Sequence, residues 1–234
     1  MKINIFSSLV FGAWLISIIP AISSQYVQDT TELEKFFLTL KDKPSSQKFE
    51  NYLELEWLQG SIELFINKHF EPLKMRYDLE NNIFEIKWNQ QVKLLEGYKV
   101  KKFRWYKPNT GRQIQFVNCV TFQSDKWLTG FFEVLEDGPL TLLVKTELVK
   151  PPEYQTGSES SIYYDKKSKK MERKEYLYIA QRSEVYLSPK KKKDWMIYLQ
   201  DKSEPIKYFM KENKLGFSKM EDIKKVIHFY NSTD

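Results

Sequence analysis

One cysteine, Cys119, and two histidines, His69 and His228, are all that this chain of 234 residues contains of either type. A lone thiol makes no internal disulfide, so the fold must be held by its core. No cysteine lies just past the amino-terminal apolar run, which excludes lipid attachment there. Two histidines far apart form no paired zinc motif, and they leave a Ser-His-Asp triad without identifiable partners. Glycine is sparse as well, eight in all, and no P-loop, dinucleotide fingerprint or serine elbow occurs. GSESS, residues 157 to 161, reads as a loop. No catalytic, cofactor-binding or metal-binding residue is assigned, and no cofactor is expected.

Long apolar runs are absent after residue 25, and the mean hydropathy of -0.55 is that of a soluble globular chain. The exception lies at the start. MKINIFSSLVFGAWLISIIPAISSQ opens with Lys2, is apolar from Ile5 to Ile19, and ends in Pro20 and the small residues Ala21, Ser23 and Ser24. That order is the order of a secretory signal peptide, here residues 1–24, and it implies export to the periplasm or beyond. The alternative is an uncleaved anchor. Residues 25–234 then form one domain: a helix and loop at 25–50, a β body at 51–187, and helices at 188–234.

Within the body the apolar pattern has period two. Leu73, Met75 and Tyr77 alternate with polar residues, as do Phe84, Ile86 and Trp88, while Leu140, Leu142 and Val144 alternate with Thr141, Leu143 and Lys145. Asn81-Asn82, Pro108-Asn109-Thr110-Gly111 and Asp137-Gly138-Pro139 punctuate the strands. The expected fold is α+β and mainly β: an antiparallel meander, whether open sheet, roll or barrel-like, with short carboxy-terminal helices docked on it. Pro139 argues for a loop of about four residues at Asp137-Gly138 in place of a two-residue turn. Phe131, Phe132, Val134 and Leu135 mark a strand covered on both faces, and Cys119 reads as a small buried hydrophobe.

Helical spacing returns at both ends. TTELEKFFLTL presents Leu33, Phe36, Phe37 and Leu40 on one face, and KDKPSSQK after it reads as loop. Ser188 with Pro189 predicts the start of a helix burying Trp195, Met196 and Leu199. Pro205 opens a second helix, and Ser218 with Glu221 predicts a capping box before the stripe Met220, Ile223, Val226, Ile227 and Tyr230.

Three stretches, WLQGSIELFINKHFEPLKMRYDLENNIFEIKW, GFFEVLEDGPLTLLVK and MKENKLGFSKMEDIKKVIHFYNS, resemble in that order a family of exported bacterial proteins without an established function. The resemblance runs from about Tyr52 to Ser232 and implies export and architecture, but transfers no catalytic motif. Where that family favours an Asp-Gly-type turn after its first strand, this chain has Asn67-Lys68-His69.

Charge is unevenly placed. Asp165 to Lys193 holds eleven basic and four acidic residues, a net of +7 against +6 for the whole chain. Lys166, Lys167, Lys169, Lys170, Arg173, Lys174 and the run Lys190, Lys191, Lys192, Lys193 are thus candidates for an anion-facing surface. A solvated surface is the alternative, because four consecutive lysines encircle a helix turn. The expected protein is a non-catalytic binding or structural module of the envelope, meeting an envelope protein or anionic surface and no nucleic acid. Two other readings stay open. A barrel could enclose an apolar small molecule among sixteen Phe and fourteen Tyr. A hydrolase could use a carboxylate pair, although Glu85, Glu133 and Glu147 read as an outward, solvated face.

Overall fold

The structure is a computed structural model that describes residues 30–108, 110–150 and 171–233. The expected signal peptide, GSESS and Lys166, Lys167, Lys169 and Lys170 lie outside them.

Eleven strands form one antiparallel sheet. The first five are β1 (Lys41–Asp42), β2 (Leu58–Leu64), β3 (His69–Asp78), β4 (Ile83–Trp88) and β5 (Gln91–Glu96). After them come β6 (Val100–Lys107), β7 (Arg112–Asn118), β8 (Phe131–Glu136), β9 (Leu140–Val149), β10 (Glu172–Gln181) and β11 (Glu184–Leu187). Their order is β1-β5-β4-β3-β2-β6-β7-β8-β9-β10-β11, a meander apart from the steps from β1 to β2 and from β5 to β6.

The step from β5 to β6 shows that the sheet is rolled. β5 and β6 lie four ladder spacings apart, about 19 Å in a flat sheet at 4.8 Å each. Only Gly97–Lys99 connects them, and four residue steps span at most about 14 Å. Coiling must close the difference. Gly60 helps, because a side chain there would meet the backbone of Arg104 on β6, with 1.9 Å between its Cβ and the carbonyl oxygen. The register of β2 against β3 also slips between Gly60 and Ile62.

Inside the roll, aromatic side chains fill the space. Phe103 stacks on Phe116 at 4.4 Å, and Tyr77, Phe84 and Phe131 close around them with centroids 4.8–5.5 Å apart. Helix α1 (Thr30–Thr39) carries the expected stripe and packs on this core. Phe36 stacks on Phe70 at 4.0 Å and Phe37 on Trp88 at 4.1 Å. The loop expected after it is partly wrong: Lys41 and Asp42 pair with Leu94 and Lys93, so the chain adds an edge strand before leaving the sheet.

Beyond β7 both faces of the sheet are covered. Leu140, Leu142 and Ile179 lie under the carboxy-terminal helices, while Phe132, Leu143 and Tyr178 pack with Cys119 and Val185 on the other side. This accounts for the apolar residues on both faces of FFEVLE and LTLLVK. The expected loop between β8 and β9 is three residues, Asp137 to Pro139.

The helices are α2 (Lys192–Tyr198), α3 (Ser203–Glu212) and α4 (Met220–Ser232). Two of their starts differ from expectation. Ser188 does not cap α2, because its N–H extends the sheet by bonding Leu177 O at 2.8 Å; Lys191 becomes the cap residue. The capping box at Ser218 does not form either. Lys219 is the cap, its carbonyl already accepts from Asp222 and Ile223, and no side chain caps the turn. Met220 consequently sits partly exposed, outside the buried stripe of Ile223, Val226, Ile227 and Tyr230. Pro205 falls in the first turn of α3, where its missing N–H is harmless.

Candidate interaction surfaces

Lys190, Lys191, Lys192 and Lys193 are all exposed, and among the described residues none has an acidic partner. Their backbone is held firmly from one side: Trp195 and Leu199, both fully buried, fix α2 in the apolar cluster over β9 and β10. Around the lysines, Tyr186, Leu187 and Ile197 expose apolar surface. The other two described candidates do not join them. Arg173 on β10 donates from Nη1 to Leu53 O at 3.2 Å and from Nη2 to Tyr52 O, so its guanidinium fastens the far strand of the roll to the segment before β2. Lys174 alternates to the face of Tyr176 and Tyr178, opposite Leu177 and Ile179, which lie on the helix side.

Glu85 is not outward, as the alternation suggested, but fully buried. The segment from Lys43 to Trp57 covers that face of β4. Lys43 donates to Oε1, Tyr52 to Oε1 at 2.9 Å, and Arg76 to Oε2 at 2.8 Å. Arg76 is in turn sandwiched by the rings of Tyr52 and Trp57, at 3.8 and 4.5 Å. Burial works against the charged carboxylate, yet these three donors outweigh it and hold Glu85 below the ordinary glutamate range. The arrangement is a structural tie with no open side for a substrate.

Glu133 and Glu147 are half-buried, again not the solvated positions expected. Glu147 pairs with the buried Lys145 at 3.1 Å. Glu133 faces a cleft of about 460 Å³ with Glu54, Lys107, Arg173 and Glu175 along its walls. Burial pushes its carboxyl up, Lys107 opposes that, and the negative charges of Glu175 and Glu54 reinforce it. Lys107 is engaged by Glu54 at 2.6 Å, and the Glu133 side chain has no hydrogen bond or ion pair among the described residues.

Cys119 is buried, and desolvation pushes its thiol up to about 12, which keeps it protonated. His69 starts β3 on the surface beside Glu71, and His228 Nδ1 meets Glu136 at 2.7 Å, joining α4 to β8. Among the described residues no group of three or more His, Cys, Asp or Glu is gathered to hold a metal ion. No helix there is long and apolar enough to cross a membrane.

A second surface escaped the reading of the sequence. Among the exposed apolar side chains, Phe65, Ile66, Tyr98, Val120 and Trp127, which are 40%, 69%, 65%, 61% and 91% exposed, stand on three connections between strands. Backbone and Asn118 bonds draw these connections to one end of the roll. Phe65 N donates to Lys99 O at 3.1 Å, Asn118 Nδ2 to Gly97 O at 3.1 Å and Val100 O at 2.8 Å, and Cys119 N to Gly130 O at 2.9 Å. The available signal was apolar residues in turns, where strand alternation cannot hide them.

Comparison with family models, with curated proteins and with solved structures finds no match to this chain.

Proposed function

We propose that the protein is an exported, non-catalytic binding module of the bacterial envelope that docks on an anionic envelope surface. The observation that carries this reading is the group Lys190 to Lys193, four exposed cations without acidic partners among the described residues, at the start of a helix whose Trp195 is locked in the core. A solvated lysine run on a mobile tail would have no fixed geometry. Here the cations stand at one place on a rigid body, and the aromatic packing inside the roll supports a solid scaffold over a carrier. The ligand chemistry is phosphate or carboxylate, presented repeatedly by a polymer or by headgroups.

A soluble acidic polysaccharide tests the reading. Binding should fall as salt rises, since exposed charges are screened beyond about 8 Å at physiological ionic strength. Replacing Lys190, Lys191, Lys192 and Lys193 together by glutamine should abolish most of it while the melting temperature holds. Salt-insensitive binding, or equal binding by the quadruple variant, would overturn the assignment.

A further inference from the structure

We propose that the loop end of the roll, formed by Phe65, Ile66, Tyr98, Val120 and Trp127, is a docking face for the surface of a lipid bilayer. This face is separate from the lysines at the start of α2. The connection that carries Trp127 meets the sheet at Gln123, which bonds Ser183 O and receives Val185 N, at the start of β11. The lysines follow the other end of that strand.

Several observations favour lipid as the occupant. The five side chains project from three different connections, two of which carry a pair, so they suit a fluid phase that closes around each one. Trp and Tyr are the side chains that settle at the level of lipid headgroups, with Phe, Ile and Val reaching the acyl boundary. Lysines stand at the rim: Lys68, Lys99 and Lys101 pair with Glu32, Glu96 and Glu63 and are each 40–48% exposed on their side chains, and Glu63 is shared by Lys101 and Lys102. One carboxylate between two ammonium groups leaves positive charge for anionic headgroups.

The path of the chain points the same way. Glu32, in the first turn of α1, pairs with Lys68 at 2.6 Å, so the polypeptide enters the described fold at this end. Ten residues separate the apolar run Ile5 to Ile19 from Thr30, eleven steps that span at most about 40 Å. A bilayer engaged by that run during export is within reach of the loop end, and the exposed side chains would keep the domain there once the leader is gone.

Flotation of the exported chain beginning at Gln25 with vesicles tests this, using phosphatidylcholine alone and with phosphatidylglycerol added. The protein should float with both, more with the anionic lipid, and should persist in salt that removes polysaccharide from Lys190 to Lys193. Ile66→Asn combined with Trp127→Ser should lower partition about tenfold, the factor that about 1.4 kcal/mol represents. The quadruple lysine variant should still float. As a second readout, brominated acyl chains should quench the part of the fluorescence that Trp127→Phe removes, and Trp127→Phe itself should retain binding. No flotation of the wild type, equal flotation of the double variant, or no quenching of Trp127 would each overturn the proposal. Each leaves the polysaccharide result standing on its own.

Discussion

Asn231, near the end of α4, hydrogen-bonds both backbone groups of Leu140 at the start of β9: Oδ1 accepts from the N–H at 3.1 Å, and Nδ2 donates to the carbonyl at 2.9 Å. A side-chain amide thus takes the place of a neighbouring strand for one residue. Nδ2 also reaches Asp137 O at 3.4 Å, so the last helix is latched to the β8–β9 turn.

The latch depends on Gly138, where a Cβ would lie 2.5 Å from the Asn231 amide. Asn231→Ala should destabilise the protein by about 1–3 kcal/mol, since Leu140 is buried and both its backbone groups lose these partners. Gly138→Ala should be destabilising in the wild type and less so on the Asn231→Ala background. Additive losses in denaturant titrations of the four proteins would show that the two positions are not coupled.

Glu85→Gln should cost about 3 kcal/mol near neutral pH, because it leaves Lys43 and Arg76 beside an uncharged amide. Glu85 is held below its ordinary value in the fold. Its contribution is therefore fully present above the unfolded value of about 4.3, and it is lost as pH falls through the lower folded value. Melting curves from pH 7 to pH 3 should show the wild type and Glu85→Gln converging at the acidic end. A constant gap would mean that the loss comes from packing and not from charge.

Glu133 has the opposite sign. Its carboxyl is raised by burial, so the folded state disfavours the charge, and stability falls as pH rises from about 4.3 through the folded value. Glu133→Gln should raise the melting temperature at pH 8 and make little difference at pH 4. An equal effect at both would separate the substitution from ionisation.

Local patterns in the chain carried the strands well. Leu73, Met75 and Tyr77 are all buried, and Leu33, Phe36, Phe37 and Leu40 turn towards the core, because each segment's periodicity is a property of its own backbone geometry. Asn67 and Asn82 take positive φ, 57° and 53°, in turns where asparagine tolerates that conformation. The helix starts at Ser188 and Ser218 were less legible. In each the side chain competes with a backbone bond, and for Ser188 that bond comes from a strand eleven positions earlier.

What a residue faces from far along the chain was decided only by the tertiary structure. Glu85 alternates like any outward glutamate, and only the return of Lys43, Tyr52 and Arg76 to the same spot makes it a buried tie. Arg173 looks in the sequence like one more cation of a basic stretch, yet the rolling of the sheet brings it to the carbonyls of Tyr52 and Leu53 and removes it from any anion-facing surface. Phe65, Tyr98 and Trp127 are scattered in sequence, and the short Gly97–Lys99 step forces the coil that gathers their connections at one end. Alternation sets which face a side chain takes on its own strand; the curvature of the whole sheet sets which other strand that face meets.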